Sequence, residues 1–87
     1  MFYYTYVLRS IKSQQLYTGF TSDLRKRFNQ HNDNKSTYTK GRGPFELIYC
    51  EVCKNMKDAT QREKYLKSGL GKRYLKSRLK RFLVPTG

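Results

Sequence analysis

The stretch of sequence that decides the fold is residues 2–20, FYYTYVLRSIKSQQLYTGF. Residues 2–9 alternate along a β-rich run, so one face of the predicted strand carries Phe2, Tyr4, Tyr6 and Leu8. A polar turn at residues 12–15 separates this run from a second β-rich run at residues 15–20. Two such runs around a short polar turn predict an antiparallel β-hairpin.

Outward from the hairpin, the sequence predicts three helices and one more strand. The helices are expected at 23–32, 56–68 and 72–83, and the strand at 45–52. Asp23 and Asn55 are placed to cap the first two helices. Gly69 and Gly71 are expected to break the second helix before the third begins. The order ββαβαα predicts an α+β fold in which helices flank a three-stranded antiparallel sheet. The 87 residues correspond to a single domain, residues 1–87.

The charge of the chain predicts a polyanionic partner. Nineteen Lys and Arg against six Asp and Glu give a net charge of +13, and such an excess opposes compaction unless a polyanion binds. Nucleic acid is the first candidate, and the basic loop and last helix would contact it through Lys35, Lys40, Arg42, Lys72 and Arg73. An anionic membrane surface, bound by the basic helix at 72–83, is the alternative.

The N-terminus and the cysteines favour a cytoplasmic protein. Residues 1–10 show no basic start followed by a long apolar stretch, so neither a signal peptide nor a membrane-spanning segment is expected. Cys50 and Cys53 have the C-x-x-C spacing, but a zinc site would need two further ligands and His31 is the only histidine. We therefore expect two reduced thiols.

Glu63 breaks the packing pattern of the predicted helix at 56–68. On a helical projection it falls in the middle of an apolar stripe made of Met56, Ala59, Leu66 and Leu70. A carboxylate that faces a core is costly unless it is paired or binds a metal. Glu63 is therefore either a site residue or a partner of a nearby lysine.

Two more groups of polar residues interrupt core-facing positions. Arg27 and His31 are four residues apart, on the helix face that also carries Leu24 and Phe28. Tyr17 shares a strand face with Gly19, which leaves room beside the Tyr17 hydroxyl for a ligand to approach. Each feature alone is compatible with a structural role: a solvated arginine, a hydrogen-bonded histidine, or a glycine at a bulge.

Taken together, these residues match the needs of phosphodiester hydrolysis. A carboxylate can hold Mg²⁺, which offsets charge on the leaving group. An arginine can stabilise the pentacovalent phosphate, and a phenol or an imidazole can relay a proton from water. The sequence contains no P-loop, no H-E-x-x-H zinc motif and no set of residues for a Ser-His-Asp triad.

The same residues resemble those of the GIY-YIG endonuclease superfamily over roughly residues 2 to 80. Residues 4–9, YTYVLR, resemble the GIY element and residues 16–19, LYTG, the YIG element. Residues 23–32, with Arg27 and His31, are similar to the signature helix, and residues 62–64 to the helix that supplies a metal-binding glutamate. The loop at 36–44 resembles that of the small stand-alone, YhbQ-like (UPF0213-type) branch and of the Slx-type nucleases.

The resemblance implies an endonuclease with a divalent cation, Mg²⁺ or Mn²⁺, on Glu63 and with no small-molecule cofactor. It implies catalytic roles for Tyr6, Tyr17, Arg27, His31 and Glu63. Tyr17 or Tyr6 would activate water with His31 as a helper, and Arg27 would hold the scissile phosphate. The chain departs from the family at Tyr4, Thr5 and Thr18, and it has no asparagine after Asn55 where some members use one. Lys67 and Ser68 are the candidates for that last role.

The sequence also bears on the substrate. Because only a nuclease module is expected here, DNA binding should depend on phosphate contacts, with little sequence specificity and strong dependence on salt. Aromatic side chains could stack on unpaired bases, which would favour single-stranded or branched DNA, as in DNA repair. The alternative is a non-catalytic, basic nucleic-acid-binding module that retains the nuclease fold.

Overall fold

The computed structural model describes residues 1–36 and 39–83. The strands are β1 (Tyr3–Ser10), β2 (Leu16–Thr21) and β3 (Phe45–Cys53), and the helices are α1 (Leu24–Asn32), α2 (Met56–Lys67) and α3 (Gly69–Arg78). The strands form an antiparallel sheet in the order β2-β1-β3. The predicted α+β fold with element order ββαβαα is confirmed. Residues 37 and 38, inside the predicted loop, lie outside the described residues.

Helices cover both faces of the central strand β1. On one face, Tyr6 and Leu8 form a buried cluster with Tyr17 and Phe45, and α1 packs against this cluster through Leu24 and Phe28. On the other face, Val7 packs with Leu66 of α2 and Leu75 of α3. The alternation in residues 2–9 therefore separates two apolar surfaces, each of which meets a different helical layer.

The third helix begins earlier and ends earlier than the sequence predicts. It runs over Gly69–Arg78 rather than 72–83, because Ser68 caps it by accepting a hydrogen bond from the Gly71 amide at 3.2 Å. Gly71 does not break the helix: it is buried, and a Cβ there would lie 1.9 Å from the Tyr65 carbonyl oxygen. The glycine is thus needed for the close approach of α2 and α3.

Contacts with β1 and β3 set the rotation of α2 about its axis. The Thr5 hydroxyl donates to the Ala59 carbonyl at 2.9 Å, and Arg62 Nε donates to Glu51 at 2.8 Å. With Ala59 against the sheet and Arg62 directed toward β3, the next residue, Glu63, is about 100° further round the helix and faces the β2 edge.

The apolar stripe predicted around Glu63 is only partly buried. Ala59 and Leu66 are buried, whereas Met56 is half exposed and Leu70 is 64% exposed. Leu70 lies outside the stripe because α2 ends at Lys67 and Leu70 belongs to α3, which has a different axis. Among the described residues, no helix is long and apolar enough to cross a membrane.

Candidate active site

A cavity of about 200 Å³ lies at the β2 edge of the sheet, where α1 and α2 approach it from opposite sides. The five predicted catalytic residues all line it: Tyr6, Tyr17, Arg27, His31 and Glu63. The remaining lining residues are Thr18, Gly19, Phe20 and Lys67. Four different elements thus contribute polar side chains to one small concave surface, which is typical of a ligand-binding or catalytic site.

A buried chain of hydrogen bonds crosses the floor of this cavity. The Tyr6 hydroxyl lies 2.8 Å from His31 Nε2, and His31 Nδ1 lies 2.5 Å from the Thr39 hydroxyl. His31 is 2% exposed and Thr39 is fully buried. Both ring nitrogens of the imidazole are therefore engaged, so its orientation is held by two partners.

His31 is neutral at physiological pH. Burial, together with the nearby positive charge of Arg27, lowers the pKa of His31 from 6.5 to about 4. A neutral imidazole has one donor and one acceptor nitrogen. A phenol is a stronger donor than an aliphatic hydroxyl, which favours donation from Tyr6 to Nε2 and from Nδ1 to Thr39.

The lowered pKa of His31 predicts an acid-sensitive fold. Between pH 6.5 and about 4 the unfolded chain binds a proton that folded His31 does not, so stability falls as the pH decreases. We expect His31 to account for a loss of about 3 kcal/mol across this interval. Urea unfolding at several pH values should show a smaller loss for His31→Gln than for the unmodified chain.

Comparison of the unmodified chain with His31→Gln isolates the contribution of His31 to the pH dependence of stability. Burial raises the pKa of Glu51, but hydrogen bonds from Arg62 and Tyr49 outweigh this effect and hold the pKa below its usual value. Protonation of Glu51 in acid therefore destabilises the unmodified chain and His31→Gln equally. Parallel stability curves for the two proteins would contradict a histidine that is kept neutral by the fold.

Gly19 makes room for Tyr6 rather than for a ligand beside Tyr17. Tyr6 pairs with Gly19 across the hairpin, and a Cβ on Gly19 would lie 2.5 Å from the Tyr6 hydroxyl oxygen and 2.7 Å from Cζ. The position that a Gly19 side chain would take is therefore filled by the Tyr6 ring, although Tyr17 and Gly19 both line the cavity. The Tyr17 hydroxyl donates to Gln15 Oε1 at 3.1 Å, toward the β1–β2 turn.

Arg27 is half-buried at the rim of the cavity and is held by two side chains. It donates to Gln30 Oε1 at 3.1 Å and to the Ser36 hydroxyl at 3.4 Å. Ser36 is itself buried in the connection between α1 and β3. A guanidinium oriented in this way is suited to binding an anion in the cavity.

Glu63 reaches the cavity from α2 and pairs with Lys67, one turn further along the same helix. The Lys67 Nζ to Glu63 Oε2 distance is 3.2 Å, and the Glu63 side chain is 18% exposed. Ser68, the other candidate for the late polar position, is used differently: its hydroxyl contacts the Tyr65 carbonyl and the Gly71 amide, which joins α2 to α3. Lys67 is the one of the two that lines the cavity.

The residues predicted to bind nucleic acid are exposed but lie outside this cavity. Lys35, Lys40 and Arg42 belong to the connection between α1 and β3. Lys72 and Arg73 are exposed on α3. Among the described residues, the structure thus separates a compact site from two basic surfaces.

Two residues in or behind the cavity are absent from the set predicted as catalytic. The sequence pattern indicates Lys67 only for the late polar position, although its i, i+4 spacing from Glu63 is a signal for an ion pair. Thr39 lies in an irregular segment without periodicity, so nothing in the sequence pattern connects it with His31. Their contact depends on how the connection folds back over α1, which only the tertiary structure shows.

Comparisons with known proteins agree with this geometry. A family model described as the GIY-YIG catalytic domain matches residues 2–80. The UPF0213 protein CPE1444 of Clostridium perfringens is 45% identical over 65 residues, which cover 74% of this chain and 69% of the relative. The UPF0213 protein OB0043 of Oceanobacillus iheyensis is 42% identical over 66 residues, which cover 75% and 76%.

A solved structure shares the fold. The solution NMR structure of the UPF0213 protein BH0048 from Bacillus halodurans has a TM-score of 0.56 and 33% sequence identity, and the match covers 90% of this chain and 85% of that one. The match of the family model to nearly the whole chain supports an endonuclease-type function on nucleic acid. On these grounds the chain belongs to the GIY-YIG family and is related to the UPF0213 proteins, as the resemblance of its two tyrosine motifs indicated.

Proposed function

We propose that the protein is a metal-dependent endonuclease that hydrolyses DNA phosphodiester bonds with little sequence specificity and prefers single-stranded or branched DNA. The observation that supports this most is that Glu63, Arg27, Tyr6, Tyr17 and His31 line one cavity of about 200 Å³. Hydrolysis of a phosphodiester needs an anion-binding group, an activated water and charge compensation on the leaving oxygen. This cavity contains side chains for each of these needs.

The donor set fits Mg²⁺ or Mn²⁺. Within residues 1–36 and 39–83, no cluster of three or more His, Cys, Asp or Glu forms an all-protein metal cage. Mg²⁺ does not need one, because it usually keeps several waters and binds one or two carboxylates together with substrate phosphates. Glu63, which lines the cavity, would hold the ion. A bound ion would supply Lewis-acid stabilisation of the charge that develops on the phosphate oxygens.

The arrangement of Tyr6 and His31 favours Tyr6 as the residue that receives the proton of the attacking water. With its own hydrogen donated to His31 Nε2, the hydroxyl of Tyr6, which lines the cavity, acts as an acceptor through its oxygen. Because the pKa of His31 is lowered to about 4, the imidazole is neutral and able to accept that hydrogen as the water loses its proton. Thr39 keeps Nδ1 engaged and so keeps Nε2 as the acceptor.

Arg27 would bind the non-bridging oxygens of the scissile phosphate. Its guanidinium lies at the cavity rim, and its contacts with Gln30 and Ser36 orient it before substrate arrives. Groups that are oriented in advance do not reorganise during the reaction, and this makes their electrostatic stabilisation effective. Lys67, next to Glu63, adds a second positive charge on the opposite wall.

One observation favours the alternative of a non-catalytic nucleic-acid-binding module. Glu63 already has a cationic partner in Lys67, and a carboxylate that is satisfied in this way could be purely structural. A panel of single-stranded, duplex and branched DNA, incubated with Mg²⁺, with Mn²⁺ and with a chelator, tests both functions. Cleavage only with metal supports the endonuclease, whereas binding without cleavage under all conditions supports the module.

Arg27→Lys should slow cleavage about a hundredfold at saturating DNA. Lysine keeps the positive charge but loses the planar pair of donors that matches two phosphate oxygens, and the loss of one such donor costs about two orders of magnitude. Arg25→Lys is the matched control, because Arg25 is exposed on the same helix and is not among the described residues that line the cavity. Equal rates for the two variants would exclude a catalytic role for Arg27.

A further inference from the structure

We propose that a groove between the β1–β2 turn and α3 binds the backbone of the DNA strand whose phosphodiester enters the catalytic cavity. We call it the lysine groove. It has a volume of about 650 Å³ and is lined mainly by Gln15, Leu16, Lys72, Lys76, Lys80 and Leu83. The inference rests on the proposed function for the identity of the strand, but its test is a binding measurement that needs no cleavage.

Charge is the first argument for a polyanion in this groove. Three lysines line it, and none of its described lining residues is Asp or Glu. Lys72 and Lys76 are one turn apart on α3, about 6 Å along its axis, and Lys80 follows after four more residues. Like charges at this spacing destabilise a helix, so the Lys72–Lys76 pair on α3 carries an energetic cost that bound phosphates would remove.

The position of the groove is the second argument. Tyr17 lines the catalytic cavity and also a depression of about 220 Å³ that contains Lys12, Gln15 and Arg42. Gln15 in turn lines both this depression and the lysine groove. The three concave surfaces therefore follow one another around the start of β2. Leu16 and Gly19 lie about 10 Å apart along β2 and point to its opposite faces, so a strand that occupies both the groove and the cavity would pass around the β2 edge of the sheet.

The shape of the groove favours a strand of nucleic acid over a lipid surface. Its apolar residues, Leu16 and Leu83, are partly buried in the groove instead of protruding from the protein. Binding to a membrane interface requires an apolar face that can enter the acyl region. A concave floor edged by lysines is better suited to a flexible polyanion, whose phosphates bind the edge.

The test compares two triple variants with the same change in charge. The first replaces the groove lysines: Lys72→Gln, Lys76→Gln and Lys80→Gln. The matched control is Lys54→Gln, Lys57→Gln and Lys64→Gln, whose lysines are exposed and are not among the described residues that line the groove or the cavity. Binding of a labelled single-stranded DNA oligonucleotide is measured by fluorescence anisotropy over a range of salt concentrations, with a chelator present to prevent cleavage.

We expect the groove variant to reduce the steepness of the negative slope of log affinity against log salt by about 2, since each lost phosphate contact on a single strand contributes about 0.7. The control should lower it by much less. Equal changes in both variants, or no change in either, would overturn the proposal. If the groove variant loses binding to anionic lipid vesicles while its DNA binding is unchanged, the proposal is also overturned. Failure of the unmodified protein to cleave with metal would contradict the proposed endonuclease but leave the binding result intact.

Discussion

Glu63→Gln is expected to reduce DNA cleavage with Mg²⁺ about a thousandfold, while DNA affinity measured with a chelator changes little. A metal ion bound as a Lewis acid stabilises the transition state by several kcal/mol, and about 4 kcal/mol corresponds to a thousandfold. Glutamine keeps the shape of the side chain but removes the charge that would hold the ion. Affinity should persist because phosphate contacts from lysine and arginine dominate binding.

Asp58→Asn is the matched control for this experiment. Asp58 lies in the first turn of the same helix, is exposed, and undergoes the same change of carboxylate to amide. It is not among the described residues that line the cavity, so its cleavage rate should be unaffected. Equal losses of cleavage and binding in Glu63→Gln would show that Glu63 is structural, and unchanged cleavage would rule out the proposed metal site.

The stability of Glu63→Gln separates these outcomes further. The substitution removes the ion pair with Lys67, whose side chain is about half exposed. Partly exposed i, i+4 pairs contribute about 0.3–0.5 kcal/mol, so the melting temperature without metal should change by no more than about 4 °C. A much larger drop would mean that the loss of cleavage reflects unfolding rather than loss of a metal ligand.

Gly71→Ala is expected to cause the largest loss of stability among single methyl additions to the glycines in the described residues. The new Cβ would lie 1.9 Å from the Tyr65 carbonyl oxygen and 2.4 Å from Leu66 Cα. Both are backbone atoms of the junction between α2 and α3, so neither can rotate away. Overpacking of this kind costs about 3 kcal/mol or more, and thermal unfolding should show a melting temperature lowered by at least about 12 °C.

Gly69→Ala is the control, since it adds the same methyl group two residues earlier in the same helix. A Cβ on Gly69 meets no described atom within 4 Å. Alanine also has a higher helix propensity than glycine, so this variant should melt at the same temperature or slightly higher. Similar melting temperatures for the two variants would show that α2 and α3 are not in close contact at Gly71.

The strands and the first two helices could be predicted from the sequence because their signals are local. Alternation in residues 2–9, the cap at Asp23 and the cap at Asn55 each act within a few residues, and the observed element ends agree with the predicted ones to within one residue. The third helix could not be placed in the same way. Its start at the Ser68 cap requires Gly71 to lie inside the helix close to the α2 backbone, and a glycine in a sequence looks the same whether it breaks a helix or allows close packing.

The candidate site likewise has features that local sequence signals predict and features that depend on contacts between elements. Polar residues at core-facing positions indicated Glu63, Arg27 and His31 one element at a time, because burial of a charge has a cost that periodicity reveals. The sequence by itself thus determined which chemical groups the protein brings to its site.

Only the tertiary structure decided how those groups meet. Tyr6 and His31 are 25 residues apart, and their contact depends on the packing of α1 on β1. Thr39 behind His31, Lys67 beside Glu63, and the lysine groove next to Gln15 likewise depend on how separate elements are arranged. The physical reason is that periodicity reports the environment of a residue along one element, whereas hydrogen bonds and cavities depend on distances between elements.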